Sequence, residues 1–279
     1  MVLKSIISEI IRKIWLKALD TFFPIFCIGC GKEGAYVCGA CFRAIPRQQQ
    51  QVCPLCYKAG GNNESGTEAR RAIELGGVCE ACKSAHPDFA LDSLVCACEY
   101  KDATLMARLI HNYKYEFVQD LAGPLGEILK EKVADSFGAA GAAGSFDFDA
   151  ITFVPLHPKR LRWRGFNQSQ RLAEIVATGH ASGHATDAAN AKTVGHLKLP
   201  CLNLLNRLTF SKPQMELTKE QRAVNVLNAF APIQGQEMPE NVLIIDDVAT
   251  TLATLEACAS QLKKAGVKKV FALVLARVY

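Results

Sequence analysis

The chain has 279 residues, of which 49% are hydrophobic and 21% are charged. This length predicts about two domains, and a composition this apolar excludes a wholly disordered protein. No uninterrupted apolar run approaches the length of about 18 residues that a membrane-spanning helix needs, so we expect a cytoplasmic protein without stable membrane insertion. The formal net charge of +5 counts every cysteine as neutral. Metal-bound thiolates would lower that charge, so it is weak support for a nucleic-acid partner.

The composition divides the chain into three predicted regions. Residues 1–21 carry apolar side chains at helical spacing, which predicts an amphipathic helix rather than a signal peptide. Docking of this helix on the body of the protein is favoured over a membrane-surface role. Residues 22–90 are rich in cysteine and glycine, and residues 91–279 alternate strand and helix patterns. Such alternation predicts an α/β domain with a parallel sheet and flanking helices.

The third region supplies the predicted regular elements. Strands are expected over 94–100, 150–154, 242–245 and 270–275, and helices over 104–113, 121–133, 167–177 and 251–265. Segments of small or polar residues over 60–77, 138–144 and 178–190 predict linkers or loops.

Eight of the twelve cysteines form four C-x-x-C pairs, which are Cys27/Cys30, Cys38/Cys41, Cys53/Cys56 and Cys79/Cys82. Because each pair holds two sulfurs on one side of a tight turn, two pairs can complete a tetrahedral zinc site. Redox motifs and buried thiols are the alternatives. We expect one or two structural zinc ions, with the pairs combined sequentially, while a cross-braced arrangement stays open. The other cysteines, Cys96, Cys98, Cys201 and Cys258, are expected to be packing residues.

An apolar strand over 242–245 precedes two acidic residues, Asp246 and Asp247, and then a threonine-rich turn. In open α/β sheets, ligands bind at the carboxyl ends of the strands, and a helix N-terminus there can hold phosphate. Vicinal carboxylates suit sugar hydroxyls or a hydrated magnesium ion. The alternative is that Asp247 and Thr250 only cap a turn and a helix.

A basic segment over 155–169 follows another predicted strand. It combines Lys159, Arg162 and Arg164 with the aromatic residues Trp163 and Phe166. Cations interleaved with aromatic rings suit phosphate, pyrophosphate or single-stranded nucleic acid. An ordinary surface turn is the alternative.

The acidic segment resembles the phosphoribosyl-diphosphate (PRPP) binding motif of type I phosphoribosyltransferases, in which an apolar strand and two acids precede T-T-G-x-T. The resemblance implies that Asp246 and Asp247 face the ribose hydroxyls. It also implies that the residues that embrace the 5-phosphate are Thr250, Thr251, Ala253 and Thr254. The glycine of the motif is Leu252 here. A left-handed backbone at a leucine is costly, and we expect the side chain to fill the pocket and weaken phosphate binding.

Nearly the whole chain resembles the ComF family, the group of competence protein F and GntX. The resemblance rests on the cysteine pairs, Lys114-Tyr115, R-G-F-N-Q-S at 164–169, the acidic strand, and the spacing of residues from Ser211 to Phe230. It implies a zinc-ribbon module, here residues 22–90, followed by a phosphoribosyltransferase-like domain over 91–279. On this basis the residues assigned a catalytic role are Asp246, Asp247 and Arg164. The further residues assigned to phosphate or ribose binding are Lys114, Arg162, Asn167 and Gln168.

The resemblance implies a protein that binds PRPP with Mg²⁺, or a related phosphorylated ribose, and serves natural transformation or DNA uptake. Turnover as a phosphoribosyltransferase is open because of Leu252. The alternative is a catalytically degenerate fold that binds single-stranded DNA or a protein of the DNA-uptake machinery.

Overall fold

The computed structural model describes residues 24–59, 73, 75–137, 148–178, 199–209 and 228–278. The predicted N-terminal helix, most of the three predicted loops and the spacing motif over 211–225 lie outside these residues. The described residues belong to two compact units that divide between Ile45 and Pro46. The boundaries of the cysteine-rich module at residues 22 and 90 stay predictions.

The first unit contains one short helix, α1 (Gly39–Arg43). Cys38 is the N-cap residue of this helix. A single antiparallel bridge between Phe26 and Glu33 closes the turn that carries Cys27 and Cys30. This unit therefore consists, in its described part, of two cysteine turns and one helical turn.

The second unit is built on six strands: β1 (Ser93–Glu99), β2 (Ala150–Phe153), β3 (Leu205–Arg207), β4 (Phe230–Pro232), β5 (Asn241–Ala249) and β6 (Lys269–Arg277). Four of them form a parallel sheet in the order β1–β6–β5–β2. The strands β3 and β4 form a separate antiparallel hairpin. The predicted α/β fold with a parallel sheet is confirmed, whereas the hairpin has no counterpart among the predicted elements.

The helices whose bounds fall within the described residues of this unit are α2 (Glu80–Ala85), α3 (Leu105–Tyr115), α4 (Ala122–Phe137), α5 (Pro158–Arg164), α6 (Gln168–Thr178) and α7 (Ala253–Lys264), with a 3₁₀ turn at Gln119–Leu121. Helix α7 and the hairpin share a hydrophobic core with Val242 and Ile244 of β5. Helices α4 and α6 pack against each other, and α6 also packs on β5. Because strand side chains alternate between faces, Asp246 lies on the α7 side of the sheet and Asp247 on the opposite side.

Two differences from the predicted elements bear on the site. Strand β5 continues to Ala249, four residues beyond its predicted end, because Asp246 and Val248 still pair with β6. The acidic residues therefore lie within the strand, past the last residue of its neighbour β2. Within the basic segment, residues 158–164 form α5, which was not among the predicted helices, and Gly165, with a φ of 80°, ends it.

No helix in the described part of the chain combines the length and apolar character needed to cross a lipid bilayer.

Candidate functional site

The first four-cysteine cluster consists of Cys27, Cys30, Cys38 and Cys41, whose Sγ atoms all lie within 4.8 Å of one another. The turn is held by two backbone hydrogen bonds, in which Gly31 N donates to Cys27 O and Cys27 N donates to Lys32 O, both at 2.8 Å. Gly31 has a φ of 74°, a conformation that favours glycine. The amide of Cys38 donates to Cys27 Sγ at 3.3 Å.

The second cluster, Cys53, Cys56, Cys79 and Cys82, repeats this arrangement within the larger unit. Tyr57 N donates to Cys53 O at 3.0 Å and Cys53 N donates to Lys58 O at 2.9 Å. The amide of Cys79 donates to Cys53 Sγ at 3.4 Å. Here the left-handed position after the second cysteine is occupied by Tyr57, with a φ of 62°.

The geometry of both clusters fits zinc. Four sulfurs at a Zn–S distance of about 2.3 Å lie about 3.8 Å apart in a tetrahedron, and the Cys30–Cys38 and Cys56–Cys79 Sγ separations are both 3.7 Å. This is far longer than a disulfide bond of about 2.05 Å. The structure brings together the sequential pairs, not the cross-braced ones. A closed set of four thiolates favours zinc.

Backbone amides also stabilise the thiolate form of one cysteine in each cluster, Cys27 in the first and Cys53 in the second. Burial alone raises the pKa of the Cys27 and Cys53 thiols, but amide donors lower both values below that of an ordinary cysteine. The donors to Cys27 include Cys38, and those to Cys53 include Cys79. Because a thiolate, and not a thiol, binds metal, these amides favour the ligating state.

Asp246 is held by a side chain that the sequence did not point to. Ser169 Oγ, in the first turn of α6, donates to Asp246 Oδ1 at 2.7 Å, and the amide of Asp247 donates to the same oxygen at 2.9 Å. Burial and the nearby charge of Asp247 raise the pKa of Asp246 to about 7. A carboxyl group that titrates near neutral pH can either accept or donate a hydrogen bond to a ligand hydroxyl.

Asp247 is paired on the other face of the sheet. Lys114 Nζ lies 2.9 Å from Asp247 Oδ1, and the two side chains are 19% and 5% exposed. Burial lowers the pKa of Lys114, but the Asp247 carboxylate more than offsets this and raises it. Asp247 Oδ2 and Arg164 Nε have no hydrogen-bond partner within the described residues, although both atoms are buried. The predicted residues Lys114, Arg164 and Asp247 are thus brought together, with hydrogen-bonding capacity left over.

The threonine-rich turn lies between β5 and α7. Thr250 and Thr251 are exposed, and Ala253 and Thr254 form the first turn of α7. No side chain caps this helix N-terminus, so its first amides are open to an anion.

Leu252 adopts the left-handed conformation, with a φ of 62°, at the N-cap of α7. This conformation costs a leucine on the order of 1–2 kcal/mol. Its side chain is 7% exposed and belongs to the core shared by α7 and the hairpin. The expectation that it fills the phosphate pocket is therefore wrong, because burial of the apolar side chain draws it into the core.

The R-G-F-N-Q-S segment is largely explained by packing. Phe166 lies against Tyr113 with ring centroids 5.3 Å apart. Asn167 Nδ2 donates to Val154 O at 3.1 Å, and its Oδ1 accepts from the amide of Ser169, so Asn167 caps α6. Gln168 is 5% exposed, and its Oε1 has no partner within the described residues. Arg162, which precedes this segment on α5, is exposed.

A cavity of about 460 Å³ is lined in part by Asn167 and Gln170, at the start of α6. Its walls come from the segment after β2, from α5 and α6, and from the hairpin strand β3. Its polar lining residues are His157, Asn167, Gln170, Asn203, Asn206 and Arg207. Burial and the charge of Arg160 lower the pKa of Arg207, whereas Asp246 raises it, so Arg207 and Asp246 are electrostatic neighbours. Sequence patterns did not indicate the hairpin residues because this cavity arises from their approach to β2.

Three aromatic side chains are exposed beside Arg164. Tyr115, Phe117 and Trp163, here called the aromatic surface, are 52%, 38% and 62% exposed. The rings of Phe117 and Trp163 meet edge to face at 5.1 Å. The guanidinium of Arg164 lies 5.7 Å from the Tyr115 ring centroid and 6.0 Å from that of Trp163. Lone exposed aromatic residues are ordinary, but a contiguous cluster beside cations is typical of a binding surface.

Comparison with known proteins adds three relatives. The chain is 28% identical over 244 residues to DNA utilization protein YhgH of Salmonella typhi, covering 86% of this chain and 90% of that protein. It is 24% identical over 261 residues to competence protein ComFC of Streptococcus pneumoniae, covering 93% and 96%. It is 30% identical over 132 residues to competence protein F of Haemophilus influenzae, covering 46% and 50%. No protein-family model matches the chain.

Proposed function

We propose that this chain, which is similar to competence and DNA utilization proteins, binds a phosphorylated ribose, with magnesium–PRPP as the ligand, in a role in DNA uptake or use. The observation that carries the proposal is the order of groups at the carboxyl end of β5. Two acidic residues there, Asp246 and Asp247, are followed after five residues by the N-terminus of α7, which has no side-chain cap among the described residues. This combination offers carboxylates for ribose hydroxyls and amides for a phosphate.

In this proposal the 5-phosphate lies on the first amides of α7 and the hydroxyls of Thr250, Thr251 and Thr254. The side chain of Leu252 is buried in the core shared by α7 and the hairpin. Asp246 and Asp247 hold the ribose hydroxyls, and Ser169 and Lys114 orient the two carboxylates. Arg164 and Arg162 supply positive charge for the pyrophosphate, since a carboxylate pair alone would repel it.

The carboxylates of Asp246 and Asp247 also provide oxygen ligands that magnesium accepts, and magnesium there would neutralise pyrophosphate charge. If transfer occurs, the bond from ribose C1 to the pyrophosphate oxygen breaks, and pyrophosphate leaves with the bonding electrons. The acceptor then forms a bond to C1 and loses its proton. The contribution of this chain would be positioning and charge stabilisation.

Calorimetric titration of magnesium–PRPP into the zinc-loaded full chain tests this function. We expect saturable binding that Asp246→Asn weakens about tenfold or more, because a hydrogen bond to a charged group contributes about 1.5–3 kcal/mol. Asp88→Asn is the matched control, since Asp88 is an exposed carboxylate in the segment between α2 and β1. Absence of binding to the wild-type chain would overturn the proposal.

We propose binding of single-stranded DNA as a second function, favoured by the aromatic surface. Nucleobases stack on exposed aromatic rings with little sequence preference, at about 1–3 kcal/mol per base. The exposed cations Lys159 and Arg162 lie on α5 together with Trp163, so charge for the phosphate backbone is present on the same helix.

Fluorescence anisotropy with a labelled single-stranded oligonucleotide tests this second function. We expect Trp163→Ala to weaken binding about tenfold, whereas Leu208→Ala should not, although Leu208 is comparably exposed at 59%. Arg162→Gln should reduce the dependence of affinity on salt concentration, because one phosphate contact is lost. Equal affinity of the wild type and Trp163→Ala would exclude the aromatic surface as the binding site.

A further inference from the structure

The last residue of β6, Arg277, contacts the second cysteine cluster. Its Nη2 donates to Pro54 O at 2.7 Å, and Pro54 lies between the ligand positions Cys53 and Cys56. Arg277 is only 2% exposed, and its guanidinium lies 4.4 Å from the centroid of the Tyr57 ring. A buried guanidinium needs such partners, so the turn of the cluster and the end of the strand stabilise one another.

The residue choice at position 57 supports this contact. The corresponding left-handed position of the first cluster is Gly31, with a φ of 74°, whereas Tyr57 adopts a φ of 62° in spite of its side chain. The turn itself does not need a tyrosine, because the same backbone hydrogen bonds form around Gly31. The ring of Tyr57 instead provides the face on which Arg277 lies.

Arg277 also adjoins the turn between β5 and α7. Its register partner in the sheet is Ala249, the residue before Thr250. The amide of the next residue, Val278, donates to Ala249 O at 3.0 Å. Arg277 therefore contacts the cysteine turn through its side chain, while its backbone is paired with Ala249, which precedes the turn over 250–254.

A second connection joins the cysteine cluster to the α7 end of the turn over 250–254. Glu256, in the first turn of α7, accepts hydrogen bonds from the amides of Ala90 at 2.7 Å and Leu91 at 3.1 Å. These residues follow α2, which carries Cys82. The amide of Glu256 donates to Leu252 O at 2.8 Å. Phe89 packs against both the hydrophobic residues of the cluster and the core of the sheet.

From these contacts we infer that Arg277 and Glu256 are positioning residues that couple the second cysteine cluster to the turn over 250–254. Metal in the cluster orders the Pro54 carbonyl and the Ala90–Leu91 segment, and these in turn hold both ends of the turn. Binding linkage is reciprocal, so a phosphate ligand on the turn would raise the affinity of the cluster for metal. That ligand part rests on the proposed function, whereas the structural coupling does not.

Amide hydrogen exchange on the full chain tests the coupling without any phosphate ligand. We expect removal of zinc with a chelator to raise exchange over 249–256 at least tenfold, while exchange in β2 stays unchanged as an internal reference. In Tyr57→Gly the increase should be smaller, because exchange over 249–256 is already raised before chelation. This variant is expected to fold, since Gly31 occupies the equivalent position of the first cluster.

Lys269→Gln is the matched control, because Lys269 is an exposed cation at the opposite end of β6. Glu256→Gln keeps one side-chain carbonyl as an acceptor. Its exchange over 249–256 before chelation should therefore lie between the values of the wild type and Tyr57→Gly. Unchanged exchange over 249–256 after zinc removal, with exchange raised over 75–92, would overturn the coupling.

The ligand part is measured as the equilibrium partition of zinc between the chain and a competing chelator, with and without magnesium–PRPP. We expect the ligand to raise the zinc affinity at least threefold in the wild type and less in Tyr57→Gly. Bound PRPP that leaves the zinc affinity unchanged would contradict the reciprocal effect. Failure of PRPP to bind the zinc-loaded chain would overturn the proposed function, while the exchange measurement would still decide the coupling.

Discussion

Lys114 Nζ lies 2.9 Å from Asp247 Oδ1, and both side chains are largely removed from solvent. The pair joins the penultimate residue of α3 to the carboxyl half of β5. The second carboxylate oxygen, Asp247 Oδ2, has no hydrogen-bond partner in the described residues. The ion pair therefore orients the carboxylate and still leaves one oxygen able to accept a hydrogen bond. This is an arrangement that a binding site needs and that a purely structural ion pair does not.

Lys114→Met should destabilise the protein by about 3–5 kcal/mol, because it leaves the Asp247 charge buried without its partner. Urea unfolding measures the free-energy change. The double variant Lys114→Met/Asp247→Asn should recover a large part of the loss, since the uncompensated charge is then removed. Equal stability of the single variant and the wild type would show that the pair is not energetically significant.

The stability of the protein should fall as the pH rises from about 4 to about 7. Asp246 has a folded-state pKa raised from 3.8 to about 7 by burial and by the charge of Asp247. Between these values the folded state binds a proton that the unfolded state has released, so increasing pH favours unfolding. Chemical unfolding across this range should show a weaker pH dependence in Asp246→Asn. If Asp246→Asn shows the same pH dependence of stability as the wild type, other titratable groups cause that dependence.

Leu252→Gly should destabilise the protein by about 1–3 kcal/mol without tightening phosphate binding. Loss of a buried leucine side chain costs more than is recovered by relief of the left-handed conformation. Thermal unfolding and calorimetry with magnesium–PRPP check the two parts. Tighter binding by Leu252→Gly would mean that the side chain obstructs the ligand in solution in spite of its burial here.

The purified chain should contain two zinc ions. Each cluster has four sulfurs at tetrahedral spacing, so Cys38→Ser should reduce the zinc content to about one without releasing the ion of the second cluster. Atomic emission on protein purified without chelator measures this. A folded protein with almost no zinc would contradict the assignment of both clusters.

Local patterns in the sequence were sufficient for several features. Four C-x-x-C spacings indicated both clusters, because each turn is a local structure that needs no distant partner. The apolar run over 242–245 indicated the central strand, and the alternation of elements indicated the parallel sheet. Resemblance to the ComF family was also visible in the motifs, and relatives that cover most of the chain agree with it.

Tertiary structure alone decided how these parts are joined. Ser169 and Asp246 are 77 residues apart in the chain, and Arg277 and Pro54 are 223 residues apart. Asn167 looked like a ligand-binding residue and proved to cap α6, and Leu252 looked like an obstruction and proved to be a core residue. Sequence spacing determines which face of an element a side chain occupies, whereas its partner depends on which other elements pack there. Which elements pack together depends on the burial of apolar surface across the whole domain, and a local sequence pattern does not contain that information.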